Sequence, residues 1–272
     1  MLIYVVYLFT GMLGGIIIGA LGSGSSLIIL PLLSLVFHNI FPETISLKIA
    51  VGTCMATLIV GSISGTISYA RAKLYDLRLV KLSLPGIILG AITAPLTAHL
   101  LSAHWLRLYI GALLITIAVY EVAKGLQRSR RQKTTGDAGE AFRDPEPLVI
   151  FLVSAVCTTL SGMAGVALGI LMIPFLSRYA HHKTVVGTNL ILAVPYTIIG
   201  TVGYIVAGIQ AHMHETGMLM VGYVYFPAFL AIAATMGFFP PVGLRLVKNL
   251  GATLTERLFY IYLFIVGITI LL

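Results

Sequence analysis

Ser23-Gly24-Ser25-Ser26 puts three hydroxyls and a glycine where a long apolar stretch breaks and resumes. A helix that starts there leaves its first backbone N–H groups without intrahelical partners and carries a partial positive charge. Serine hydroxyls donate to oxyanions, and Gly22 and Gly24 let backbone approach closely. Together these features describe an anion site. A second break, Ser161-Gly162-Met163-Ala164-Gly165, offers similar chemistry with fewer hydroxyls. Thr53, Thr188 and Asn189, on the stretches that follow each break, would complete a polar cage. The expected substrate-binding set is therefore Ser23, Gly24, Ser25, Ser26, Thr53, Gly165, Thr188 and Asn189. The competing structural reading is that Ser23 to Ser26 only cap a helix. Gly11, Gly15 and Gly19, spaced by four, read as a small-residue packing face.

The elements that must position these groups lie in a membrane. Apolar residues make up 58% of the 272 and charged residues only 10%. Soluble domains carry about 25% charged residues. The first charge is Glu43, and a single helix from Met1 to Pro42 would be about 63 Å long at ~1.5 Å per residue. A bilayer core is about 30 Å thick, so this run must hold two segments with the break near 19–24. No basic residue precedes Lys48, which argues against a signal peptide and for a retained first segment. Further apolar stretches cover roughly 45–70, 82–101, 105–123, 148–164, 166–178, 184–208, 216–242 and 254–272. Continuous apolar runs read as helices rather than barrel strands.

The two breaks belong to a repeat. Gly19, Gly22, Pro31 and Ser34 match Gly162, Gly165, Pro174 and Ser177 at one constant offset. At a second offset Lys48, Gly52, Thr53, Gly65, Thr66 and Tyr69 match Lys183, Gly187, Thr188, Gly200, Thr201 and Tyr204. Paired broken segments in two halves point to a transporter's binding site. The expected fold is an all-α polytopic membrane protein with two inverted-topology repeats of about five helical segments each. Segments one, two, six and seven are free to be spans, half-spans or re-entrant. The halves are 1–124 and 148–272, joined by a polar cytoplasmic linker at 125–147.

Charge sets the threading. If every segment crosses, all seventeen Lys and Arg except Lys48 and Arg107 fall on one side, which is then cytoplasmic. Both termini come out on the opposite side. The net charge of +8 is mostly this topology signal, and nothing in it points to nucleic acid. Lys48 and Lys183 would sit near helix starts on opposite faces, either snorkelling or lining the approach to the centre.

Other chemistries find little support. No acidic residue lies centrally in a span, so cation transport and a carboxylate proton relay are disfavoured. A uniporter fits better, as does a co-transporter whose substrate carries the proton. Cys54 and Cys157 read as apolar packers. His212, His214 and Glu215 cluster in one loop and His181-His182 in another on the far side, so they do not converge on a metal. No cofactor motif is present, and no Gly-Lys-Ser/Thr follows the glycines.

Residues 14–34, with Gly15, Gly19, Gly22, Gly24 and Pro31, followed by a Gly-Thr helix, resemble the sulfite exporter TauE/SafE family. The resemblance extends through Arg71, the Gly86/Gly90 segment and both ends of the repeat. It implies export or uptake of small sulfur-containing anions. The family's consecutive glycines are here Ser23-Gly24-Ser25-Ser26 and Val166-Ala167-Leu168-Gly169. The expected function is a non-enzymatic secondary transporter in the cell membrane, a bacterial inner membrane, with a small anion and the lipid bilayer as partners. A non-transporting assembly factor or an intramembrane enzyme is the alternative. The sequence leaves the oligomeric state open.

Overall fold

In the computed structural model the described residues are 2–21, 23–113, 115, 116, 119, 144–211, 219–240 and 242. The tenth apolar stretch, most of the linker, Gly22 and the His212–Glu215 cluster lie outside them. Helices α1 (Leu2–Leu21), α2 (Ser26–His38), α3 (Glu43–Arg71), α4 (Leu77–Leu100) and α5 (103–113) make up the first half. The second half holds α6 (Pro147–Met163), α7 (Gly169–Leu176), α8 (His182–Gln210) and α9 (Phe226–Phe238).

Among the described residues, α3, α4 and α8 are long and apolar enough to cross a membrane. Helix α2 has 13 residues and α7 has 8, or about 20 Å and 12 Å at ~1.5 Å per residue. Neither reaches across a core of about 30 Å. Proline lies inside α2, α4, α7 and α8. Membrane helices tolerate this where neighbours fill the gap. Gly203 of α8 makes that room for the Pro95 ring of α4, because a Cβ there would strike it.

The core is the crossing of α3 and α8, where Ile49 to Leu58 are buried without interruption. Large apolar side chains such as Ile88, Leu96, Val202 and Leu230 are exposed on the periphery, as lipid-facing surfaces require. Around the crossing, α4 lies on α6 and α1 on α9. Gly86 and Gly90 let α4 touch the α6 backbone at Phe151 and Ala155. Gly11, Gly15 and Gly19 do the same for α1 against Ile232, Met236 and Pro240. These three glycines therefore form the packing face their spacing predicts.

The ninth apolar stretch is a correction to the expected helix. It begins as a short antiparallel hairpin, β1 (Met220–Val221) and β2 (Val224–Tyr225), with Met220 opposite Tyr225. Helix α9 starts after the hairpin, at Phe226. Gly222 turns the hairpin at φ +57 and sits so close to the Ile205 carbonyl that no Cβ fits. Tyr225 is held at Thr53, ten residues into α3, so the hairpin dips about 15 Å along that helix. Backbone at that depth needs partners. It finds them in its own ladder, in Thr53 and in the Tyr204 carbonyl.

Candidate functional site

Both breaks in the apolar stretches are present, and each turns on a glycine in the left-handed region, Gly24 at φ +94 and Gly165 at φ +63. The breaks meet. Ala167 N–H donates to Ser26 Oγ at 2.7 Å, so a hydroxyl of the first break caps the backbone of the second. A Cβ on Gly169 would collide with Ser23 Cβ and Oγ and with Asn189 Nδ2, so these three groups converge on one point. Gly169 there begins α7, Ser23 precedes α2, and Asn189 lies two turns into α8.

A cavity of about 20 Å³ lies at this convergence. Ser23, Gly169, Asn189, Ser62, Tyr196 and Thr197 are among the residues that line it. Its volume is that of roughly one water, which needs at least about 10–15 Å³. It must widen to admit a four-atom oxyanion. Leu58, Leu168, Leu190 and Ile18 add apolar lining.

The sequence-predicted residues divide into two groups. Ser23, Ser26, Gly165 and Asn189 lie in or beside the contact between the breaks. Ser25 stands at the N-cap of α2 without a side-chain cap bond, and its Oγ is buried with no partner. Gly24 supplies the turn.

Thr53 and Thr188 are fully buried but do not line the cavity. Thr53 Oγ1 accepts from Tyr225 N–H at 3.0 Å, at the start of α9. Thr188 Oγ1 accepts from Asp76 N–H at 2.9 Å, at the start of α4. The glycines before them are matched too: Gly52 abuts the Tyr223 carbonyl and Gly187 the Leu74 carbonyl. Lys48 Nζ donates to the His99 carbonyl at 2.9 Å, in the last turn of α4, where a cation is favoured. His99 Nδ1 in turn lies 3.4 Å from Tyr223 Oη. Lys183 is exposed in the first turn of α8.

Three groups escaped the sequence reading. Ser62 and Thr197 line the cavity and their hydroxyls lie 3.3 Å apart. They match at the same offset as Lys48 and Lys183, so the repeat itself held the signal. Tyr196 also lines the cavity and donates to the Val166 carbonyl at 2.7 Å. Tyr204 Oη donates to the Gly162 carbonyl at 2.9 Å, and Cys54 Sγ to the Gly165 carbonyl at 3.4 Å. The second break is thus braced by three side chains from the central crossing.

Comparison with known proteins follows the same outline. The family model described as Sulfite exporter TauE/SafE matches residues 7–270. Over 267 residues the chain is 25% identical to a "Probable membrane transporter protein" of Haemophilus influenzae, covering 97% of both chains. It is 22% identical over 218 residues to "Probable membrane transporter protein YunE" of Bacillus subtilis, covering 75% of this chain and 79% of the relative. No solved structure matches.

Proposed function

The chain belongs to the sulfite exporter TauE/SafE family, and from that premise we propose that it is a secondary transporter of a small sulfur-containing anion, sulfite or an organosulfonate. The observation that carries this reading is the convergence of Ser23, Gly169 and Asn189 on a small cavity between the two breaks. Irregular backbone inside a membrane is tolerated where it is buried in protein or lines a cavity, and broken helices are a transporter's way of reaching a central anion. Ser23 Oγ and Asn189 Nδ2 are donors suited to an oxyanion, with Ser25 and Ser26 behind them.

In this reading the halves are inverted repeats, and transport rocks one against the other around the cavity. Support comes from α3 and α8, which are repeat equivalents yet run antiparallel. Gly65 of α3 meets Leu190 of α8, while Gly200 meets Met55, the matching position. The protein sits in the cell membrane with both termini on the non-cytoplasmic face. Arg107 pairs with Glu43 at 2.8 Å, and Lys48 reaches His99. These contacts gather both exceptions to the charge rule at one end of the molecule.

The test is flux of sulfite and small sulfonates in sealed proteoliposomes holding the purified chain. Ser23→Ala combined with Ser25→Ala is expected to raise the half-saturating concentration about tenfold, the loss of one or two hydrogen bonds to a charged ligand. Unchanged saturation would remove the site assignment. No protein-dependent flux of any of these anions would remove the substrate class.

A further inference from the structure

The cavity between the breaks is polar without being cationic. Among the described residues no Lys, Arg or His lines it, and no Asp or Glu. Its hydroxyl pair is largely committed to the helices that carry it. Ser62 Oγ donates to the Ile59 carbonyl at 3.0 Å, and Thr197 Oγ1 to the Ala193 carbonyl at 2.8 Å. What remains is an unpaired acceptor, because Asn189 is 1% exposed and its Oδ1 has no hydrogen-bond partner. A buried polar atom left this way is destabilising until a donor reaches it.

Two consequences follow for the ligand. Moving an ion out of water carries a Born cost that grows with the square of the charge, so a dianion costs about four times a monoanion. With no cationic side chain among the described lining residues, only the partial charges of the helix starts work against that difference. An acceptor also calls for a donor, and a fully deprotonated oxyanion has none to offer.

Resting on the reading of the chain as a small-oxyanion transporter, we infer that the species carried is the singly charged, protonated form, hydrogen sulfite where sulfite is the substrate, with its O–H donated to Asn189 Oδ1. Asn189 Nδ2 and Ser23 Oγ then serve the charged oxygens. The proton crosses on the substrate, so no carboxylate or imidazole inside the spans is required. The acceptor occurs in one half only. The repeat equivalent of Asn189 is Cys54, whose thiol is turned to the Gly165 carbonyl. The ligand's protonated oxygen therefore has a single orientation.

The experiment uses the full chain in sealed proteoliposomes at fixed total sulfite, with pH stepped through the range where sulfite gains its proton. Protein-free vesicles are subtracted. Competition by methanesulfonate, whose charge does not change over that range, registers the protein's own pH response. The initial rate is expected to fall as pH rises, in proportion to the hydrogen sulfite fraction. A rate that is flat or rises with the dianion overturns the inference while leaving the transporter reading intact. No flux of sulfite or of small sulfonates at any pH overturns both. In a second arm, Asn189→Leu removes Nδ2 as well as Oδ1 and is expected to weaken both anions, hydrogen sulfite about tenfold more than methanesulfonate. Equal losses for the two, or none for hydrogen sulfite, overturn the role of Oδ1. The wild-type pH series needs no variant, so it decides the matter even if Asn189→Leu misfolds.

Discussion

Ser62 Oγ and Thr197 Oγ1 lie 3.3 Å apart, and the 135 residues between them are the same offset that aligns Lys48 with Lys183. A residue can touch its own repeat equivalent only at an axis that exchanges the halves. The surrounding contacts come in exchanged pairs: Thr53 with Tyr225 and Thr188 with Asp76, Gly52 with Tyr223 and Gly187 with Leu74. Such pairs are what an axis in the membrane plane requires, and they support the inverted arrangement.

The Ser62–Thr197 pair is expected to show coupling. Ser62→Ala and Thr197→Val should each destabilise by about 0.5–1.5 kcal/mol, and the double variant by less than their combined effect. Chemical denaturation in detergent across the four proteins measures this. Strict additivity would mean that the two hydroxyls do not interact.

Thr53→Val and Thr188→Val each strip the acceptor from a buried backbone N–H at the start of another helix. Each is expected to cost about 1–3 kcal/mol, while Thr→Ser at either position costs much less. Thermal midpoints report the difference. If Val and Ser variants behave alike, the hydroxyl is not the acceptor that matters.

Gly187→Ala puts a Cβ against the Leu74 carbonyl, a backbone atom that cannot step aside cheaply. The expected outcome is a loss of at least about 2 kcal/mol, or failure to accumulate in the membrane. Gly237→Ala, whose Cβ would meet only Val60 at 3.4 Å, is the matched control and should stay near wild type.

Lys73 occupies the left-handed region at φ 53, just past the end of α3. Leu74 N–H bonds the Tyr69 carbonyl at 3.1 Å and Lys73 N–H the Ala70 carbonyl at 3.0 Å, the two bonds of a Schellman cap. Glycine suits that position better. Lys73→Gly is expected to raise stability by up to about 1 kcal/mol, read as a higher thermal midpoint.

Much of this was legible in the residues. The breaks at Gly24 and Gly165 showed because glycine interrupts an apolar run, and the α3–α8 correspondence showed because Lys, Gly, Thr and Tyr recur in one register. Thr53 and Thr188 were found but their partners were not. Each binds a backbone N–H, 172 and 112 residues away, and backbone groups leave no mark in composition. The hairpin at 220–225 was hidden for a different reason. Met220, Val221, Val224 and Tyr225 are as apolar as a helix start, and periodicity cannot separate a short buried strand from a helical turn. Gly222 was the available hint. Asn189 was named as a cage member, but its spare acceptor emerged only when its neighbours were known.

The exchanged threonines also have a consequence in time. Asp76 N–H receives its acceptor from a residue 112 positions later in the chain. At roughly 5–20 residues per second, α4 waits about 6–20 s for Thr188 to leave the ribosome. Tyr225 finds Thr53 already in place. The contact at α4 thus stays open until later chain arrives, whereas the contact at Tyr225 closes on a partner already made, so the two bonds form in one order although they look alike when finished.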